Sequence, residues 1–139
     1  VLVYVDTSAM AKRFADEPES DALDEHLNAL IARGNTVISS VLLDVELTRV
    51  ARRERLDPAT VEAVLADVGL VGIFPEVLEA AKDIEFHLKA LDSIHLGTAL
   101  ILQDEAEGDE AVEQVVTYDD QMARVAEKLG FEVVSPGRP

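Results

Sequence analysis

Four acidic residues stand where acids can do chemistry. Asp6 directly follows the apolar run LVYV, Glu46 lies within SVLLDVELTRV, Asp92 heads DSIHLGTAL, and Asp119 comes two residues after QVVT. Carboxylates from separate segments are hard oxygen donors that suit Mg²⁺ or Mn²⁺ and not zinc. The constraint on such a cluster is repulsion. Two unit charges ~4 Å apart repel by ~4 kcal/mol at an effective dielectric near 20, so the acids gather only around cations or with raised pKa values. Singly, each has an ordinary explanation. Asp6 can be a turn residue, and Asp92 an N-cap before an apolar helix. Glu46 can form an i,i+3 ion pair with Arg49, worth only ~0.2–0.5 kcal/mol. Together they point to a metal site. His95, three residues beyond Asp92, reads either as a partner of the acids or as a satisfied interior histidine, the second being the expectation. His26, beside Asp24 and Glu25, reads as surface.

The elements that must position these acids alternate along the chain. Leu2–Val5 is a short valine-rich run that reads as a buried parallel strand. Thr7 or Ser8 can cap a helix to about Ala15, and Ser20 starts another that Gly34 stops. Thr36–Ser39 reads as a second strand, with Ser40 capping a helix that carries Glu46. Asp57-Pro58 opens a helix to about Val68. Leu70–Phe74 reads as a third strand, Pro75 to about His87 as a helix, and Asp92–Gln103 as another. Gln103–Glu113 reads as an acidic exposed loop, Gln114–Thr117 as a fourth strand, Asp120–Leu129 as a helix, and Phe131–Val134 as a fifth strand before a tail. Short apolar strands alternating with helices predict an α/β fold with a parallel sheet covered on both faces. In such sheets sites form at the carboxyl ends of the strands. Asp6 and Asp119 project at that edge, within bridging reach if their strands are neighbours.

Composition bounds the rest. The chain has 139 residues, the size of one domain over 1–139, and no cysteine. No apolar run approaches the ~18 residues a membrane span requires, and the start lacks a signal-peptide pattern. A strand at the first residues suggests that little more than an initiator methionine precedes it. A reducing cytoplasm is the expected location. With 28 acidic against 12 basic residues the net charge is −16. That argues against a protein that coats nucleic acid, which needs a broad basic footprint. Two divalent ions would leave a net charge of −12, so any nucleic-acid path must be locally basic. Arg49 and Arg53, with Arg52 and Arg55 nearby, form the densest basic cluster, read equally as a solvated helix end or as a phosphate guide beside Glu46.

The segments VYVDTSAM, SSVLLDVELTRVARR, LDSIHLGTAL and VVTYDDQMARVAEKLGFEVVSP resemble the PIN-domain nucleases, in particular the VapC-type toxins of prokaryotic toxin–antitoxin pairs. The resemblance covers essentially the whole chain. It implies a three-layer α/β/α fold on a five-stranded parallel sheet. It also implies Mg²⁺- or Mn²⁺-dependent endoribonuclease chemistry, in which the ion activates water and stabilises charge developing on the phosphate. The family's four acids match Asp6, Glu46, Asp92 and Asp119, as catalytic residues and metal ligands. Glu46 would either complete a second metal site or orient the water. Thr7, Ser8 and Thr117 match hydroxyl positions that orient the ligands, and Asp120 is an extra acid that would assist Asp119. The partners implied are an RNA substrate, a second copy in a homodimer and a VapB-type antitoxin, with no membrane. Met10, Phe14, Leu23, Leu27, Leu30 and Ile31 on the first two helices are candidates for the antitoxin groove, or plain core.

Other functions compete, among them a receiver-like signalling module, whose acid pair and late lysine do not appear convincingly here. A PIN domain kept for RNA or protein binding would lack toxicity. A haloacid-dehalogenase-like phosphatase also places an aspartate after its first strand, but needs a second one where this chain has Ser8. A metal site further implies that Asp6→Asn or Asp92→Asn leaves the metal-free fold no less stable, because both relieve repulsion.

Overall fold

The computed structural model describes residues 1–105 and 111–138. Its order is β1 (Leu2–Val5), α1 (Thr7–Met10) with a 3₁₀ turn (Ala11–Arg13), α2 (Ser20–Ala32), β2 (Thr36–Ser40), α3 (Leu42–Arg53), α4 (Pro58–Leu65), β3 (Gly69–Val71), α5 (Pro75–Asp83), α6 (Ala90–Glu105), β4 (Val112–Val116), α7 (Asp120–Lys128) and β5 (Glu132–Val134). The five strands form one sheet in the order β3-β2-β1-β4-β5, every pairing parallel. β1 is central, with β2 on one side and β4 on the other, so the strand order reverses at β1/β4. The carboxyl ends of those two strands carry Asp6 and, three residues past Val116, Asp119.

Alternation along β1 builds the layers. Val3 and Val5 face one core with residues of α1 to α4, among them Met10, Leu23, Leu27, Leu43, Leu47 and Val61. Tyr4 points the other way, into a second core with Leu96 and Ala99 of α6 and Met122, Val125 and Ala126 of α7. This is the expected α/β/α arrangement. Gly97 lets α5 press onto α6, since a Cβ there would stand 2.8 Å from the Val77 carbonyl oxygen. Gly34 and Gly130 follow α2 and α7 with φ of +90° and +99°, the left-handed geometry that ends a helix without steric cost.

Element boundaries moved where tertiary partners decided them. The first helix is one short α turn and a 3₁₀ turn, and its cap is Asp6 in place of Thr7 or Ser8. β3 stops at Val71 because Ser40, paired with it, is the last residue of β2. α5 ends at Asp83, where Ile84 becomes extended. α6 begins at Ala90, which puts Asp92 inside its first turn and not at the N-cap. It runs on to Glu105, and β4 begins at Val112, so the expected loop over 103–113 is helix and strand at its ends. Residues 106–110 of that loop lie outside the described residues.

Candidate active site

Asp6 is held from several sides. Its Oδ1 accepts the Ala9 amide at 3.0 Å and the Ser8 hydroxyl at 2.7 Å, while Oδ2 accepts the Thr117 hydroxyl at 2.5 Å. Ser8 Oγ also accepts the Tyr118 amide and Thr117 Oγ1 the Asp119 amide, and the two hydroxyls lie 3.2 Å apart. These two side chains therefore tie the end of β1 to the loop after β4. Asp6 is buried, and burial pushes its carboxyl above the usual range against the pull of its donors and of the His95 ring.

Glu46 comes from α3 and bonds to neither Arg49 nor any other arginine among the described residues. Its Oε1 accepts the Thr7 hydroxyl at 2.8 Å and meets His95 Nε2 at 2.6 Å. Burial raises its pKa, but the hydrogen bonds and charge of His95 and the Thr7 bond outweigh that and leave it below the ordinary value. His95 reaches Glu46 from α6, and its Nδ1 lies 2.7 Å from the Tyr4 hydroxyl. Burial pushes that phenol far up, so it stays protonated.

Asp92 sits one turn before His95 on α6, half-buried. Burial first, then the charges of Asp119, Asp6 and Glu46, push its carboxyl up, with His95 opposing. The four expected acids thus share one electrostatic field, although they come from four distant segments. Asp119 caps α7, its Oδ1 accepting the Met122 amide at 2.8 Å. Among the described residues, no three histidine, aspartate or glutamate side chains are placed to hold an ion together. The donor set nevertheless fits a hard divalent cation: carboxylate oxygens only, with the Asp6 and Glu46 rotamers fixed by hydroxyls.

The other sequence expectations divide. Thr7, Ser8 and Thr117 are part of the cluster, as their hydrogen bonds show. Asp120 is not: it is exposed and pairs with Arg138 at 3.3 Å. Arg49 and Arg53 are exposed on α3, with Arg53 3.9 Å from Glu54. Met10, Leu23, Leu27 and Leu30 are core, not groove. A groove of about 740 Å³ lies between α3 and α4 over Ala51, Leu56, Val61 and Leu65, and none of the four acids lines it; Phe14 lines a smaller cavity of about 300 Å³ with Lys12 and Arg13. His95 and Tyr4 are the residues that sequence reasoning undervalued. The signal was the i,i+3 spacing of His95 from Asp92; nothing in the sequence marked Tyr4.

The PIN domain family model matches residues 3–128, which takes in all four acids. The chain belongs to the PIN-domain family. Within that family this PIN domain is VapC-like. It is 35% identical over 137 residues to the ribonuclease VapC46 of Mycobacterium tuberculosis, covering 96% of this chain and 97% of that one. It is 32% identical over 139 residues to the ribonuclease VapC47 of the same species, covering 98% of each. The PIN fold is shared at lower identity with solved structures. One is VapBC2 of Rickettsia felis bound to a promoter DNA fragment, at 12% identity and a TM-score of 0.69 over 96% of this chain and 98% of that one. Another is the sarcin-ricin-loop-cleaving toxin VapC20 of M. tuberculosis, at 17% identity and a TM-score of 0.66 over 96% and 99%. Among the described residues, no helix of this PIN domain is long and apolar enough to cross a membrane.

Proposed function

We propose that this chain, as one PIN domain over 1–139, is a divalent-metal-dependent endoribonuclease that acts as the toxin of a toxin–antitoxin pair in the cytoplasm. The observation that carries this reading is geometric: Asp6 and Asp119 stand at the carboxyl ends of the neighbouring strands β1 and β4, joined through Thr117, while His95, one turn from Asp92, meets Glu46. Acids that disfavour one another's ionised form are kept together at a cost, which a bound dication removes. The names of the relatives, ribonucleases both, support the same class of reaction.

In this reading Asp6, Asp92 and Asp119 hold Mg²⁺ or Mn²⁺, and Glu46 joins them as a ligand or as the acceptor that orients water. When bound, the ion supplies a nucleophile at neutral pH and stabilises charge developing on the phosphate. The chain's own residues do the rest. Ser8 and Thr117 hold the Asp6 oxygens, Thr7 and His95 hold Glu46 Oε1, and Asp92 stands in the first turn of α6, one turn before His95. Arg49 and Arg53 offer phosphate contacts on the helix that carries Glu46, the local basic path that a chain of net charge −16 requires.

The partners follow from the same reading. A VapB-type antitoxin segment with apolar side chains suits the α3/α4 groove, whose lining is largely apolar and carries Arg52 and Arg55 beside Asp44 and Glu62. A second copy suits the exposed apolar residues Ile73, Phe74 and Leu78 around the start of α5.

The test is cleavage of a defined RNA with Mg²⁺, with Mn²⁺ and with EDTA. Wild type cleaves only with the ions, and Asp92→Asn and Asp119→Asn lose at least ~100-fold, the scale of a lost transition-state charge contact. Cleavage that persists in EDTA, or in both variants, removes the assignment.

A further inference from the structure

A line of hydrogen bonds runs from the sheet to Glu46. The Ser40 amide donates to the Tyr4 hydroxyl at 3.1 Å, that hydroxyl lies 2.7 Å from His95 Nδ1, and His95 Nε2 lies 2.6 Å from Glu46 Oε1. Its two middle members are sealed, Tyr4 being 0% and His95 1% exposed. The ends fix its polarity. A backbone N–H only donates, so the phenol oxygen accepts there and its own hydrogen is free for Nδ1. A carboxylate only accepts, so Nε2 must carry the hydrogen that meets Glu46. Nε2 therefore carries a hydrogen aimed at Glu46, and the ring stands edge-on to Tyr4 with an interplanar angle of 78°.

The consequence falls on Glu46. Both of its donors, Thr7 and His95, land on Oε1, and among the described residues Oε2 receives no hydrogen bond. We propose that Tyr4 and His95 are positioning residues that engage one oxygen of Glu46 and present the other alone to the acidic cluster, so that Glu46 serves there through a single oxygen. This rests on the nuclease reading of the site and adds two residues from the buried face of the sheet to it. A side chain with several rotatable bonds would otherwise sample many orientations, and fixing it before the ion arrives removes that ordering cost.

Two measurements test it. Long-range ¹H–¹⁵N correlation spectra of the wild type in EDTA should show His95 with a hydrogen on Nε2, and Tyr4→Phe should lower the occupancy of that hydrogen. Mn²⁺ affinity, by titration with paramagnetic detection, should fall ~10–100-fold in Tyr4→Phe and in His95→Ala, the usual scale for partners of a metal ligand. RNA cleavage should lose kcat with KM unchanged. His95→Gln, whose amide nitrogen can take the place of Nε2, should recover most of both. If His95→Ala does not fold, Tyr4→Phe decides, because it removes a single oxygen.

A wild-type ring with no hydrogen on Nε2 overturns the proposal. So do unchanged Mn²⁺ affinity and kcat in folded Tyr4→Phe while Glu46→Gln is impaired, or a loss that His95→Gln does not recover. Failure of the underlying reading looks different. Glu46→Gln and Asp92→Asn would then both bind Mn²⁺ and cleave RNA like wild type, whatever the tautomer of His95.

Discussion

Asp6 accepts three hydrogen bonds, whereas Asp92 has its carboxyl in the field of three other acids. Their substitutions should therefore move stability in opposite directions. In EDTA at neutral pH, Asp92→Asn removes a repelled charge and should raise the melting temperature. Asp6→Ala removes the α1 cap and leaves two hydroxyls without their acceptor. The cap alone is worth ~1 kcal/mol, or ~3–5 °C at this chain length. Asp6→Asn keeps an acceptor oxygen for the cap and removes a buried charge, so the expectation that it leaves the metal-free fold no less stable is read from that variant and not from Asp6→Ala. A pH series sharpens the prediction. The folded pKa of Asp92 is raised, so its stability contribution is complete below the unfolded value of ~3.9 and is lost as pH rises through the folded value. Glu46, lowered, has the opposite sign: its contribution is present above its unfolded pKa and is lost as pH falls through the folded one. Thermal melts in EDTA should show the advantage of Asp92→Asn over wild type growing from pH ~4 toward neutrality; a pH-independent difference would contradict the assignment. The four acids were legible in the sequence because each interrupts an apolar run or ends a strand. Tyr4 was not, since a tyrosine in a buried strand looks like any other β-former until α6 lays a histidine against its hydroxyl. Asp120 misled for the converse reason: adjacency to Asp119 in sequence says nothing about direction once α7 begins, and its side chain turns out to Arg138.

The helices set where these side chains arrive. α6 carries both Asp92 and His95, and its depth against α5 is set by Gly97. Gly97→Ala should cost about 1–3 kcal/mol through overpacking, because the nearest atoms are backbone and cannot rotate away. Chemical denaturation should show a lower midpoint with unchanged slope. α7 and the chain's end hold the other side of the site. Ser135 Oγ donates to the Thr117 carbonyl at 2.6 Å, Arg138 to the Tyr118 carbonyl at 2.8 Å, and the Tyr118 hydroxyl to the Pro136 carbonyl at 2.7 Å. What reads as a plain tail through Arg138 is a clasp on the loop that bears Asp119. Element types were legible because strand runs are short and valine-rich while helices carry caps and stop glycines. Their ends were less so, because β3 ends where its partner ends and α1 is cut short by packing, neither of which leaves a local mark.

At the scale of the molecule the chain must bring a polyanion to a protein of net charge −16. Replacing both Arg49 and Arg53 by Gln should weaken RNA binding and flatten its dependence on salt, each lost phosphate contact lowering the slope of log K by up to ~0.9. Filter binding across a salt series reads this directly, and an unchanged slope would make the two arginines ordinary surface. Self-association gives a second check: Phe74→Asp should lower the sedimentation mass if the apolar residues at the start of α5 meet a second copy. The order of the strands has a last consequence, which concerns time. β1 is made first and stands in the middle of the sheet, yet its neighbour β4 emerges only after six helices and two further strands. A half-translated chain carries Asp6 without Thr117 to aim it and without Asp119 beside it. On the proposed reading, a growing polypeptide cannot cut RNA until β4 has been made and paired with β1, bringing Thr117 and Asp119 to Asp6.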